Sequence, residues 1–496
     1  PASQAASALI EHVRTVQEEF CGEVVEHLQH FLHGPSAEAF LAMEQAVQKV
    51  FAGMAGHVVG GVLGLLLGDS GFSDQSIEDA RVADPRDLRH RGYRSTWIRF
   101  LGGIRLYFRT PYLSVDRRGA PGTPRGVGRR GEGGGGFYPA LEALGIRHQA
   151  TPALASLVAR QSVCCASFEE ASSSLLDHGI EMDAKAVRRL ALHVGDDALE
   201  QREQRKKAAR EGSRFSDEFA GKRIVISVDG GRIRLREGGK RGRKGKSGHR
   251  RYNTPWREPK IFTIYAIDEE GVKIPTIPPV LDGTLKDADA TFELLVAELL
   301  LRGAAEAREI IVVGDGALWI WNRVDALARA LGVSLERIVR VADFYHVVEH
   351  IAEIAQLAGS LRTQEAKKRW LKRMRRRLKR GKVDQIIESA LRLCRGRNAE
   401  EIATNIEYIR ERKEFMRYDE YRARGIPLGS GAVESAVRRI LNLRLKGAGI
   451  FWRRPCAEAM LHLRAYLKAG RWSEIMGRVM HCSPDGRRHQ PLEVAA

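Results

Sequence analysis

Arg223-Ile-Val-Ile-Ser-Val-Asp229-Gly230 is a β-branched run that stops on a carboxylate followed by glycine. A run of this kind reads as a buried strand, and its terminal acid as one projecting from the strand's carboxyl end. Glu309-Ile-Ile-Val-Val-Gly314-Asp315-Gly316 repeats the form, and Ile338-Val-Arg-Val-Ala-Asp343 also ends on a carboxylate, there followed by an aromatic instead of glycine. Ile261 to Ile267 reads as a further strand and Asp287 to Leu301 as a helix, so strands and helices interleave as in α/β folds. The switch in composition predicts a new domain beginning near Phe215.

Upstream, Ser7 to Leu67 carries apolar residues at helical spacing, and Gly34-Pro35 breaks it into two helices. Trp97 to Tyr112 alternates as a hairpin does, and Arg117 to Gly136 is a Gly/Arg/Pro-rich basic loop. Ser167-Phe-Glu-Glu170 has the form of a capping box, opening a helix to Leu176. Gly179 then turns the chain and Asp183 caps a helix through Val194, followed by a separate charged helix over Gln201 to Arg210. The pair resembles a helix-turn-helix with Lys185, Arg188 and Arg189 on the helix that would enter a major groove; the plainer reading is an ordinary helical pair.

Downstream, Val347 to Tyr421 reads as helical throughout, most basic at Lys367 to Lys382. Gly425 to Gly431 is a turn-rich loop, and Ala432 to Lys446 resumes as a helix with Glu434 in its first turn. The expected segments are 1–92 (helical), 93–150 (hairpin and loop), 151–214, 215–346 (core), 347–424 (helical insertion), 425–472 (final acidic helix) and 473–496 (tail).

In 496 residues, 81 Lys and Arg oppose 62 Asp and Glu, a net charge of +19 that favours polyanionic partners, nucleic acid first. An apolar fraction of 43% suffices for packed cores and argues against global disorder. Six cysteines without a Cys-x-x-Cys pair offer neither a zinc knuckle nor a dense disulfide framework. The longest strongly apolar stretch, Val58 to Gly68, falls short of the roughly 20 residues of a membrane span. The expectation is therefore a cytoplasmic protein with no membrane association.

Asp229 and Asp315 should project from one carboxyl edge of a sheet, where α/β proteins place their sites. With Glu434 they would form an all-oxygen triad suited to Mg²⁺ or Mn²⁺. Two such ions, about 3.5–4 Å apart, support in-line phosphoryl displacement. An Asp that ends a strand is often no more than a turn former or cap. Asp343, standing before His346, is the alternative second acid.

These blocks together, Val228-Asp229-Gly230, Val313-Gly-Asp315-Gly-Ala317 with Trp319 and Trp321, Ala342-Asp343-Phe-Tyr-His346 and Ile426-Pro-Leu-Gly-Ser-Gly-Ala-Val-Glu434, resemble the catalytic blocks of bacterial insertion-sequence DDE transposases, closest to the ISKra type. The resemblance spans roughly Phe168 to Trp472, and the glycine-rich block leading to Glu434, with Arg444-Leu-Lys-Gly-Ala-Gly449, is its most specific part. It implies a ribonuclease-H-like catalytic core with a large helical insertion, preceded by a mainly helical DNA-binding region. Asp229, Asp315 and Glu434 match the triad, two Mg²⁺ or Mn²⁺ ions would be the cofactors, and double-stranded DNA, bound by at least a dimer, the partner.

In that reading the DNA surface is built from Lys185, Arg188 and Arg189, from Lys240, Arg241, Arg243, Lys244, Lys246, Arg250 and Arg251, and from Arg373, Arg375, Arg376, Arg377, Arg444 and Lys446. Trp319 and Trp321 are candidates for base stacking, though core packing is the commoner fate of such residues. Gly126-Val-Gly-Arg-Arg-Gly131 lacks the strand and helix of a dinucleotide site, and Gly245-Lys-Ser247 lacks the first glycine of a P-loop. His346-Val-Val-Glu349-His350 has inverse-zincin spacing, leaving a zinc peptidase, with Glu407 as third ligand, as a rival. A non-enzymatic DNA-binding protein descended from a transposase is the other.

Overall fold

The computed structural model describes residues 2–83, 88–115, 136–237, 253–315 and 318–480. The chain divides into two compact units, Pro1–Gln201 with Ser473–Ala496, and Arg202–Trp472.

In the first unit α1 (Ala2–His33) and α2 (Ala37–Gly68) form the expected pair, with the Ser36 hydroxyl accepting from the Ala39 N–H at 3.1 Å to cap α2. By length and composition α2 is apolar enough to cross a membrane: its most apolar window has mean hydropathy 2.0 and is 28% buried. This corrects the expectation drawn from Val58 to Gly68, because the helix continues upstream through weakly apolar Ala and Gly positions that extend its uncharged length. After α3 (Ser70–Ala83) comes the hairpin β1 (Leu88–Arg99) and β2 (Arg105–Val115), longer than predicted, with Trp97 opposite Tyr107. Helices α4 (Pro139–Ala143), α5 (Pro152–Cys164) and α6 (Phe168–Leu176) follow.

The Ser167 cap is present, its Oγ accepting from the Glu170 N–H at 3.0 Å, while Glu170 reaches one residue beyond the reciprocal bond of a capping box, to the Ala166 N–H at 2.7 Å. Gly179 has φ +71°, the left-handed turn that glycine adopts without steric cost. Leu154, Val158, Leu175, Ile180 and Val187 bury together around it. The next helix, α7, runs unbroken over Ala184–Arg210, so the two helices expected there are one. Gly195 is a single glycine in a helix, a cost of about 1 kcal/mol that packing readily overcomes.

In the second unit the boundary falls at Arg202, ahead of Phe215, because the last turns of α7 belong to the core. Arg205 forks onto Glu298 at 2.9–3.0 Å, and Arg202 donates to Glu458 at 2.6 Å, all four side chains being buried. The strands are β3 (Arg223–Gly230), β4 (Ile233–Arg234), β5 (Trp256–Arg257), β6 (Lys260–Ile267), β7 (Val280–Thr284), β8 (Glu309–Gly314) and β9 (Ile338–Ala342). Five form one mixed sheet in the order β7-β6-β3-β8-β9, in which β3, β8 and β9 run parallel and β6 is antiparallel to both of its neighbours. The short β7 was not expected: Pro278 and Pro279 precede it and Gly283 lies within it, none of them a strand-forming residue.

On one face Ile224, Ile226, Ile310 and Val312 pack under α8 (Ala288–Leu301) and α10 (Val324–Leu331), which follows the short α9 (Leu318–Trp321). On the other, Val225, Ile311, Val313 and Val341 pack under the helical segment α11 (Phe344–Leu357), α12 (Gln364–Leu378), α13 (Val383–Leu391), α14 (Ala399–Glu411) and α15 (Tyr418–Ala423). Strands covered on both faces read as continuous apolar runs, which is why they were legible. The final acidic helix is shorter than expected: α16 (Gly431–Val437) passes into a π-helical turn, Arg438–Asn442, rather than continuing to Lys446. Helix α17 (Arg454–Lys468) is the last of this unit; α18 (Trp472–Met480), which from Ser473 onward belongs to the first unit, closes the described chain, so part of the expected tail is helical.

Candidate active site

Parallel pairing sets Ser227 opposite Val313, and Gly314 opposite Ala342. Carried forward in the same register, Asp229, Asp315 and Asp343 stand abreast at one carboxyl edge, as the three strand-ending acids predict. Their environments then separate them.

Asp343 is 2% exposed and works as a fastener. Its Oδ1 accepts from the N–H groups of Tyr345 (2.7 Å) and His346 (3.1 Å), capping α11, and its Oδ2 accepts from the Ser430 N–H at 2.6 Å and from the Ser430 hydroxyl. With both oxygens occupied in this way, the alternative second acid is structurally committed. The loop comes this close because residue 429 is glycine: a Cβ there would meet the Tyr345 ring at 2.9 Å.

Asp229 and Asp315 instead line a cavity of about 410 Å³ with Arg232, Glu258, Asn442 and Lys446. Burial pushes the Asp229 carboxyl above its ordinary range; the Gly230 N–H opposes this from 2.7 Å, and the charges of Asp315, Glu434 and Glu258 add to the rise. Glu434 is exposed and is not among the residues lining the cavity; its Oε1 lies 2.9 Å from the Ser430 hydroxyl. The two Asp carboxylates and Glu434 thus share an electrostatic field without a common wall.

The donor chemistry suits a hard divalent cation, because the acids are all oxygen donors whose mutual repulsion an ion would relieve. Among the described residues, no three His, Cys, Asp or Glu side chains converge closely enough to hold an ion as they stand. The same holds for the His-x-x-Glu-His segment: His346 Nδ1 meets Glu349 at 3.2 Å, His350 Nδ1 meets Asn405 at 2.6 Å, and Glu407 pairs with Arg410. Burial lowers the His350 pKa, partly offset by its Asn405 partner.

Of the predicted DNA contacts, Lys185, Arg188 and Arg189 are exposed on α7, as are Arg373, Arg375 and Arg376 on α12 and Lys446 beside the cavity. Arg377 is half-buried and donates to the Gln385 carbonyl at 3.1 Å. Arg444 is a correction: it is 3% exposed, its guanidinium 5.0 Å above the Trp452 ring, so it serves packing and not a DNA surface. Trp321 is a second correction, buried and stacked on Phe415 at 5.2 Å, which removes it from base stacking. Lys240, Arg241, Arg243, Lys244, Lys246, Arg250, Arg251 and the Trp319 side chain lie outside the described residues, as does Gly126 to Gly131.

Sequence reading assigned no role to Glu258, Ser430 or Tyr408. Ser430 stood within a quoted motif, whereas Glu258 lies in an aperiodic stretch. Tyr408 sits on an ordinary helix, yet its hydroxyl donates to the Asp315 carbonyl at 2.5 Å and its ring stacks on His350 at 3.7 Å. Burial raises the Tyr408 phenol far above its usual range, so it remains a donor there.

No protein-family profile and no curated protein matches the chain. Among solved structures, the Drosophila P element transposase strand transfer complex is similar at a TM-score of 0.23 and 11% identity, over 66% of this chain and 83% of that one. A likeness of that size carries no argument about this chain, and the functional reading rests on its own residues.

Proposed function

We propose that this chain is a DNA transposase of the DDE type, a Mg²⁺- or Mn²⁺-dependent polynucleotidyl transferase that cleaves at element ends and joins the freed 3′-hydroxyl to target DNA. The observation that carries it is the half-buried Asp229 carboxyl beside Asp315, both on the cavity at the carboxyl edge of parallel strands, in a chain of net charge +19. The mixed sheet with β3, β8 and β9 parallel and helices on both faces supports a ribonuclease-H-like core.

Asp229 and Asp315, with Glu434 completing the set, would hold the metal, which when bound supplies charge neutralisation at the attacking and leaving oxygens. Lys446 and Arg232, on the same cavity, attract the phosphodiester, and the apolar wall of Val228, Ile320 and Val437 limits water beside Asp229. Ser430 steers Glu434, which must leave its exposed position to join the cavity. The exposed arginines of α7 and those of α12 would each offer a DNA-binding surface on their own unit, and synapsis of two ends calls for at least a dimer. A cytoplasmic, nucleoid-associated setting goes with this reading.

The test is strand cleavage and joining of labelled DNA carrying the gene's flanking sequences, with Mg²⁺ or chelator, by wild type and Asp229→Asn. Cleavage confined to wild type with Mg²⁺ is expected; cleavage by Asp229→Asn sinks the assignment. A second reading, a DNA-binding protein without cleavage activity, is favoured by the position of Glu434 outside the cavity. It predicts salt-sensitive binding and no cleavage by either protein.

A further inference from the structure

A second cavity, of about 290 Å³, lies wholly within Pro1–Gln201 and has no part in the carboxylate reading. Trp97, Arg99, His148, Gln149, Arg189 and His193 supply its polar and aromatic wall. Arg99, the last residue of β1, is only 7% exposed, and its Nε has no hydrogen-bond partner. Its guanidinium and that of Arg105 stand 5.7 and 5.3 Å from the Trp97 ring.

The surroundings of Arg99 are cationic. Burial first, and then Arg105 and Arg189, lower its pKa, with Asp183 alone opposing. Asp183 is itself engaged at the start of α7, its Oδ1 accepting from the Ala186 N–H at 2.7 Å. His148 and His193 stack face to face at 4.1 Å, and burial, His148 and Arg189 depress the His193 pKa against the pull of Asp197. Asp197 approaches His148 at 3.5 Å and Arg147 at 3.8 Å, but it lines a neighbouring cavity and not this one.

The wall is also held in a costly backbone conformation. His148 (φ 52°) and Gln149 (φ 60°) are consecutive left-handed residues that are not glycine, a strain of about 1–3 kcal/mol each that tends to gather at binding sites. Both are anchored by their neighbours, since the Arg99 N–H donates to the Gln149 carbonyl at 2.9 Å and the Ala150 N–H to that of Arg147 at 2.9 Å.

A buried guanidinium fork, a second arginine, two imidazoles and an amide converging without an acidic wall call for a polyoxyanion, and phosphate matches such donors better than a single carboxylate does. The volume is close to the roughly 300 Å³ lower bound of small-ligand sites, which suits one nucleotide. We propose that this pocket binds the phosphate of a nucleotide, either a free nucleoside monophosphate or the terminal phosphate of a DNA strand.

The test is isothermal titration of the full chain with thymidine 5′-monophosphate, with thymidine, and with a short oligonucleotide bearing or lacking a 5′-phosphate. Phosphate-bearing probes are expected to bind and their phosphate-free twins to bind far more weakly. Arg189→Gln, at an exposed helix position, should weaken binding roughly tenfold, the loss of one charged hydrogen bond. Arg160→Gln, an exposed change on α5 outside the pocket, should leave it unaltered. Arg99→Met should abolish binding, with thermal melting to verify the fold. Equal affinity for the mononucleotide and the phosphorylated oligonucleotide identifies a free nucleotide as ligand, and binding of the phosphorylated oligonucleotide alone identifies a strand end. Phosphate-independent binding, or Arg189→Gln behaving like Arg160→Gln, overturns the proposal.

Discussion

The backbone N–H of Ser430 donates to Asp343 Oδ2 at 2.6 Å, across 87 residues of sequence, and so fastens the start of α16, the helix that carries Glu434, to the end of β9. Two acids that look alike in sequence, Asp315 and Asp343, thereby take different work. Replacing Asp343 by Ala should cost about 1–3 kcal/mol through the lost cap and the unpaired Ser430. Asp315→Asn should leave stability near wild type and abolish cleavage. Denaturant midpoints of the two variants check the division; an unaltered midpoint in Asp343→Ala refutes it.

Ser430→Ala keeps the backbone bond to Asp343 and removes the hydroxyl, for whose single proton Asp343 Oδ2 and Glu434 Oε1 compete. Stability should change little, while cleavage falls roughly tenfold, about the share of one misplaced ligand-orienting group. Single-turnover rates on a labelled element end measure this. A fully active Ser430→Ala would show that Glu434 needs no such steering.

Asp229 is half-buried beside other carboxylates that raise its pKa, so its charge opposes folding in the absence of a cation. Asp229→Asn should raise the melting temperature of the metal-free protein. Mg²⁺ should raise that of wild type and have little effect on the variant. Calorimetry with and without chelator decides, and an equal Mg²⁺ response in both proteins removes Asp229 from the metal site.

Asp282 is fully buried, yet its carboxyl is held below the ordinary range. Burial pushes it up, but His462, 2.9 Å away, and Arg202 more than offset this. A depressed carboxylate contributes stability above its unfolded pKa and loses it as pH falls through the lower folded value. Asp282→Asn should therefore cost roughly 3–5 kcal/mol at neutral pH by removing the buried carboxylate that Arg202 and His462 share. The gap to wild type should narrow in acid, and urea unfolding across pH tests it.

Arg444→Ala should destabilise by removing the packing on Trp452 and leave the salt dependence of DNA binding unchanged. Arg373→Gln with Arg376→Gln should instead flatten that dependence, by about 0.9 in log–log slope for each DNA phosphate that is no longer neutralised. Fluorescence anisotropy over a salt series separates the two.

The strands that carry Asp229 and Asp315 were legible because central strands buried on both faces leave β-branched runs, and the edge strand β9 before Asp343 keeps enough of that composition to be read the same way. The cap at Ser167 and the helices after Val347 were legible because caps and 3.6-residue spacing are local signals. β7 was not, since its five residues owe their strand to pairing with β6. Nor could local pattern show that α7 continues through Gly195 or that the helix after Ser430 gives way to a π-helical turn, because packing overrode weak propensities. The sequence by itself determined the strand-ending acids, the helical segments and the excess of positive charge, each encoded in neighbouring residues. Only the tertiary structure decided that Asp343 is a fastener while Asp229 and Asp315 line a cavity, that Arg444 and Trp321 are packing residues, and that Arg99 is buried in a cationic pocket. Burial and partnership are properties of chain segments brought together from far apart, and no local pattern of residues encodes them.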